Sequence, residues 1–152
     1  MFLNIKQGGF SMVQLLLVLA IFLVIASMAV PSLYQFQVGA QVDTVAAEVG
    51  QNLRRAQSRA VVGYDNTNWG VYFEEGEYTI YSGNDYNTRN SDRDEIYPYS
   101  NSVLIVNNFS DDIVFTRITG LPNSEGTVTL SNIMDSDQSI ITINSLGVIE
   151  YR

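Results

Sequence analysis

Residues 10–62 read FSMVQLLLVLAIFLVIASMAV, then PSLYQFQVGA, then QVDTVAAEVGQNLRRAQSRAVV, and the change of pattern inside them decides the fold. From Phe10 to Val30 there are 21 residues without a charge, interrupted only by Ser11, Gln14 and Ser27. At ~1.5 Å per residue such a run makes about 30 Å of helix, the thickness of a bilayer core. Beyond Pro31 the helical pattern changes character without ending. Val38, Val42, Val45, Val49, Leu53, Ala56 and Ala60 recur every three or four residues, which is one apolar stripe of an amphipathic helix. Gln41, Asp43, Glu48, Gln51, Arg55 and Arg59 fall on the opposite face. The spacing predicts helix from Phe10 to about Val62, lipid- or partner-embedded at its start and packed on a domain at its end. Pro31 lacks an amide hydrogen and deprives the Ser27 carbonyl of its helical partner. It is expected to loosen the helix, or to mark the exit from the membrane.

Working outward, the 152-residue chain carries 16 acidic and 8 basic side chains, and neither cysteine nor histidine. Without cysteine there is no disulfide framework, thiolate metal site or thiol catalysis. Without histidine the usual general base and the commonest transition-metal ligand are missing, so triads and zinc chemistry are disfavoured. An enzyme is not expected, and no cofactor is implied. After Gly63 only Arg89, Arg93, Arg117 and Arg152 stand against 14 acids. A domain so acidic repels phosphate backbones, so nucleic acid is a disfavoured partner.

From Trp69 the period becomes two. Short β-rich runs occur at 69–73 and 77–81, with Glu75-Gly76 between them as a hairpin turn. Further candidates lie at 103–106, 113–116, 127–130 and 140–143, and a last turn and strand at 146–151. Residues 83–95 hold no aliphatic side chain and read as a long exposed loop. Six or seven strands in a small antiparallel assembly need cover on one face, and the 38–60 stripe supplies it. The expected class is α+β: a long N-terminal transmembrane and amphipathic helix packed on a small β domain. The expected divisions are 1–9, 10–30, 31–63 and 64–152.

Lys6, alone before the apolar run, favours a cytoplasmic N-terminus. A cleaved secretory signal is the competing interpretation, because Ser27-Met28-Ala29 has the small residues a signal peptidase accepts before Val30. Against it, the run exceeds the usual 7–15-residue apolar core.

Together these residues resemble a type IV prepilin-like protein. Gly8-Gly9-Phe10-Ser11-Met12-Val13-Gln14-Leu15-Leu16 is similar to the prepilin processing site, a glycine before the phenylalanine that opens the apolar helix. The resemblance implies cleavage after Gly9 by a prepilin peptidase and N-methylation of Phe10. It also places Pro31 where a helix-loosening proline is common in that family. Residues 52–60 (NLRRAQSRA), 113–116 with Gly120, and 141–147 (ITINSLG) resemble the GspH/FimT group of minor pseudopilins and minor pilins. The partners so implied are other pilins or pseudopilins, an assembly platform and the inner membrane, with a periplasmic or extracellular filament as destination. The family usually has glutamate where this chain has Gln14; that carboxylate is thought to meet the methylated amine of a neighbouring subunit. Glutamine keeps an acceptor oxygen but brings no charge, which predicts rare or terminal incorporation.

Other candidates compete with ordinary surface chemistry. Asp85, Asn87, Asp92, Asp94 and Glu95 are oxygen ligands in one loop, and Asp135 with Asp137 forms a second acidic pair. Calcium takes several oxygens, and such a loop could bind it. The spacing matches no EF-hand, since Arg89 and Arg93 interrupt it and no glycine sits mid-loop. A solvated acidic loop is the expectation, as it is for Asp111-Asp112. Tyr64, Trp69, Tyr72, Tyr78, Tyr81, Tyr97 and Tyr99 could form a stacking surface for bases or sugars, but cross-strand packing is favoured. Arg54, Arg55 and Arg59 could meet phosphate; they also complement the dipole at a helix end. A competence pilin that binds DNA and an anchored extracellular ligand-binding β domain remain the alternatives. The DNA role is poorly supported, because the end 147–152 (GVIEYR) lacks a basic patch.

Overall fold

The computed structural model describes residues 11–109, 112–132 and 138–151; for 28–40 the backbone alone is described. Helix α1 runs Met12–Val62 and includes Pro31. The chain divides into two compact units, Met1–Gln37 and Val38–Arg152.

In the first unit, every described side chain from Ser11 to Ser27 is exposed. Among the described residues no helix is long and apolar enough to cross a membrane. Met12 to Ser27 amounts to about 24 Å of helical rise, short of a ~30 Å bilayer core. The expected span 10–30 thus lies partly outside the described residues.

In the second unit α1 buries Val42, Ala46, Val49, Leu53, Ala56 and Ala60. The steps alternate four and three and so track the 3.6-residue turn. Val45, expected in the stripe, is only partly buried, and Ala46 takes its place. Two consecutive apolar residues left the phase ambiguous, and Ala46 keeps the alternation. The helix stops at Gly63, whose φ of 72° is the left-handed conformation glycine adopts freely. The Ala60 carbonyl accepts two amides there, from Gly63 at 3.0 Å and Ile118 at 2.9 Å.

Among the described residues eight strands follow: β1 (Trp69–Glu74), β2 (Glu77–Ser82), β3 (Glu95–Pro98), β4 (Val103–Asn107), β5 (Ile113–Phe115), β6 (Gly126–Asn132), β7 (Gln138–Ile143) and β8 (Ile149–Tyr151). They form two antiparallel four-stranded sheets, in the orders β3-β2-β1-β5 and β4-β6-β7-β8. The expected hairpin is present, with Glu74 opposite Glu77 and Gly76 at φ 85° in the turn. Strand β3 was not expected. It is four residues long, ends in Pro98 and lies at a sheet edge, where proline is tolerated.

One core joins the helix stripe to both sheets, with Trp69, Val71, Tyr78 and Ile80 from one and Val128, Leu130, Ile141 and Ile143 from the other. Residues 83–94, expected as a long exposed loop, are exposed or half-exposed throughout, and they are anchored to the first sheet. Tyr86 stacks on Tyr72 at 3.8 Å and meets Tyr81 edge-on, and Arg89 lies over the Tyr86 ring. Tyr72 and Tyr81 alternate with core residues along their strands, so this segment covers the other face of the first sheet. Aromatic and charged side chains do the packing here that aliphatic residues usually do, so aliphatic spacing carries no sign of it.

Candidate assembly surface

The candidate surface starts at the N-terminal end of α1. Ser11 precedes the first helical residue, and its amide donates to Oε1 of Gln14 at 3.2 Å. The Ser11 carbonyl in turn accepts from the Gln14 amide at 2.9 Å and the Leu15 amide at 3.2 Å. Ser-x-x-Gln is half of a capping box: the residue three places into the helix reaches back to an amide with no helical partner. Gln14 therefore acts as a local cap, a role readable in the sequence spacing but missed there. Beyond it Leu15, Leu16, Leu19, Phe22, Leu23 and Ile25 are all more than half exposed. Gly9 and Phe10 lie outside the described residues. Pro31 is helical in its backbone, and its side chain lies outside the described residues.

At the other end of α1, a polar stripe runs beside the buried one. Asn52 Nδ2 donates to the Tyr78 hydroxyl at 2.7 Å, and that hydroxyl donates to Glu48 Oε1 at 3.2 Å. Arg59 reaches Glu95 Oε1 at 2.5 Å, Arg55 lies 3.2 Å from Glu95 Oε2, and the Tyr97 hydroxyl donates to the same oxygen at 2.8 Å. Positions 48, 52, 55 and 59 share one helix face, so Glu48 and Arg55 are linked through tyrosines rather than paired directly. Burial raises the Tyr78 hydroxyl above its ordinary range; the Asn52 hydrogen bond opposes this and the Glu48 carboxylate adds to it. Burial also works against the charge of Glu95, but hydrogen bonds from Arg59 and Tyr97 and the nearby arginine charges outweigh it and hold its carboxyl below the usual value.

These contacts bear on the phosphate-binding alternative. Arg54 donates to the Ile149 carbonyl at 3.1 Å and lies over the Tyr151 ring. Arg89 pairs with Asp94 at 2.7 Å and Arg93 with Asp65 at 2.8 Å, while Arg117 donates to Asn66. The basic cluster expected at the helix end is thus engaged within the fold. The aromatic side chains behave likewise. Trp69, Tyr78 and Tyr81 are buried, and Tyr78 stacks on its cross-strand partner Tyr97 at 5.3 Å.

The acids also have internal tasks. Asp85 caps the turn Tyr86–Thr88 through the Asn87 amide at 2.7 Å, and Asn90 caps Ser91–Arg93. Asp112 is buried, receiving the Tyr81 hydroxyl and the Tyr86 amide. Asp111, Asp135 and Asp137 lie outside the described residues. Among the described residues no three acids or other ligands gather as a metal site.

A helix that enters the core of a two-sheet β unit has counterparts among solved structures. The minor pseudopilin EpsH from the type 2 secretion system of Vibrio cholerae superposes on this chain in two solved structures. One gives a TM-score of 0.58 at 10% identity, covering 74% of this chain and 96% of that one. The other gives 0.56 at 12% identity, covering 75% and 94%. The chain has the pseudopilin fold. Neither protein-family models nor characterised protein sequences match it. The likeness is carried by the arrangement of elements, with few shared residues.

Proposed function

We propose that this chain is a non-enzymatic minor pilin or pseudopilin, a structural subunit of a type II secretion pseudopilus or a type IV pilus. The observation that carries the reading is the exposed, uncharged, mostly apolar surface from Ser11 to Ser27, on the same helix that completes the core of a pseudopilin-like β unit. Exposed apolar surface of that extent calls for lipid or other helices around it. A prepilin peptidase would cut between Gly9 and Phe10, and Phe10 would then be methylated. The chain would wait in the inner membrane with its N-terminus cytoplasmic, then join other pilins on an assembly platform.

Gln14 sharpens the proposal. Its acceptor oxygen serves its own chain's Ser11 amide, and it brings no carboxylate to a neighbour's amine. A charge-assisted hydrogen bond is roughly twice as strong as a neutral one, so each repeated copy would leave an amine poorly matched. Incorporation once, or at a filament end, meets that cost once. Gln14→Glu should raise incorporation when the chain is expressed with its machinery. Filaments built mainly of the unaltered form would contradict this.

The processing step is tested by the intact mass of the chain recovered from membranes. Loss of residues 1–9 plus one methyl group is expected. A chain beginning at Val30 would establish a cleaved signal instead and end the filament reading. DNA binding is not favoured, because the described arginines are engaged within the fold; anisotropy titration at physiological salt should show no micromolar binding.

A further inference from the structure

The filament reading makes no use of the free edge of β4. Among the described residues this strand pairs with β6 alone and ends its sheet. An edge strand presents a row of backbone N–H and C=O groups outward, and proteins usually blunt such a row with lysine, proline or a bulge. Here residues 99–109 read YSNSVLIVNNF, with no charge and no proline. Leu104 and Val106 are 48% and 54% exposed along it, while Val103 is buried in the core. Beside the edge lies a cavity of about 360 Å³, lined by Phe73, Glu74 and Glu75 of the β1–β2 hairpin and by Ile105 and Asn107 of β4. That is far more than the ~30 Å³ share of one water, and it has room for a long side chain.

We propose that β4 is a strand-accepting edge: an extended segment of another protein adds to it by backbone pairing and places a lysine or arginine in the cavity beside Glu74 and Glu75. Backbone hydrogen bonds would supply affinity and the alternate side chains specificity, as in strand addition generally. Charge selects the occupant. A second copy of this chain would bring its own Glu74 and Glu75 to the same place, on a protein with net charge −8, and like charges would repel. A basic segment is attracted by the same groups. The inference stands on the β unit alone, so its failure would leave the filament reading intact.

The test selects a randomised decapeptide library against the full chain in detergent micelles, followed by amide hydrogen exchange on β4 with the enriched peptides. Enriched sequences should alternate β-branched or aromatic residues with polar ones and carry a lysine or arginine, and they should slow exchange along 103–107. The double variant Glu74→Gln, Glu75→Gln, which leaves the hairpin backbone unchanged, should weaken binding about fivefold or more. Leu104→Lys with Val106→Lys alters outward side chains only, and it should weaken the same peptides further by repelling them. The proposal is overturned by a library that yields no binder or only acidic binders, by protection that falls elsewhere, or by affinity unchanged in the glutamine variant. Binding by a second copy, read as a concentration-dependent dimer with β4 protected, would overturn it as well.

Discussion

Two stretches of one helix, residues 12–27 and 42–60, are both rich in aliphatic side chains but use them in opposite ways. The earlier stretch exposes them all round. The later stretch buries a single line of them, Val42 to Ala60, and lends its flank to Asn52, Arg55 and Arg59 for seating on β2 and β3. Helix propensity is served equally in both. What differs is the period of the apolar residues: a run apolar on every face seeks an apolar environment, whereas a stripe seeks one sheet. Stability of the β unit should therefore depend on the later stretch and be indifferent to the earlier.

The sharpest way to break this contrast is a matched pair of truncations. Leu53→Ala empties a fully buried site and should cost about 2–5 kcal/mol, lowering the urea midpoint of the β unit. Leu16→Ala, on an exposed site, should change the unfolding free energy of the β unit by less than ~0.5 kcal/mol. A large effect at Leu16 would mean that the earlier stretch is packed on the chain itself.

Next in size is the polar seam. Tyr78→Phe keeps the ring in the core but leaves Asn52 and Glu48 without their shared partner. A loss of about 1–3 kcal/mol is expected, again read by urea unfolding. Asn52→Leu made together with it should recover part of the loss, because the orphaned amide is then removed.

The Glu95 clamp should be smaller and dependent on pH. Its carboxyl is held below its ordinary value in the folded chain, so its contribution is present above the unfolded value of about 4.3 and fades as pH falls through the folded one. With roughly a third of the Glu95 side chain open to solvent, about 1 kcal/mol or less is expected. Glu95→Gln should flatten that part of the acid limb of stability against pH, and unfolding curves across the window from neutral pH down to 3 check it.

The architecture was legible because it rests on periodicity. The stripe and most strands follow from apolar spacing, and the hairpin from Glu75-Gly76 between two of them; at Pro31, where loosening was expected, the helix continues. Strand β3 and the anchoring of segment 83–94 were not, since β3 is held by pairing with β2 and the segment by Tyr72 stacking on Tyr86, contacts between residues distant in sequence, with Arg89 and Asp94 bracing the segment locally. For the same reason the arginines at the helix end looked available until Glu95, Ile149 and Tyr151 supplied their partners. Of the assembly residues, Gln14 was singled out as a departure from a family pattern. Its service to Ser11 was written in a three-residue spacing that drew no notice beside the apolar run.

The smallest expected effect concerns that cap. Gln14→Ala should cost the first turn of the helix a few tenths of a kcal/mol, seen as faster amide exchange at Ser11 with the β unit unchanged.

The central claim, that one helix offers an all-round apolar surface first and a single buried stripe later, is tested most directly by spin labels. The chain has no cysteine, so single cysteines can be placed one at a time along 13–25 and 42–60 in chain reconstituted into liposomes. The account predicts high oxygen and low nickel-chelate accessibility at every position of the first set. In the second it predicts immobile labels recurring with the helical period at 42, 46, 49, 53, 56 and 60. Nickel access all round the first set, or the same one-sided period in both, would contradict it.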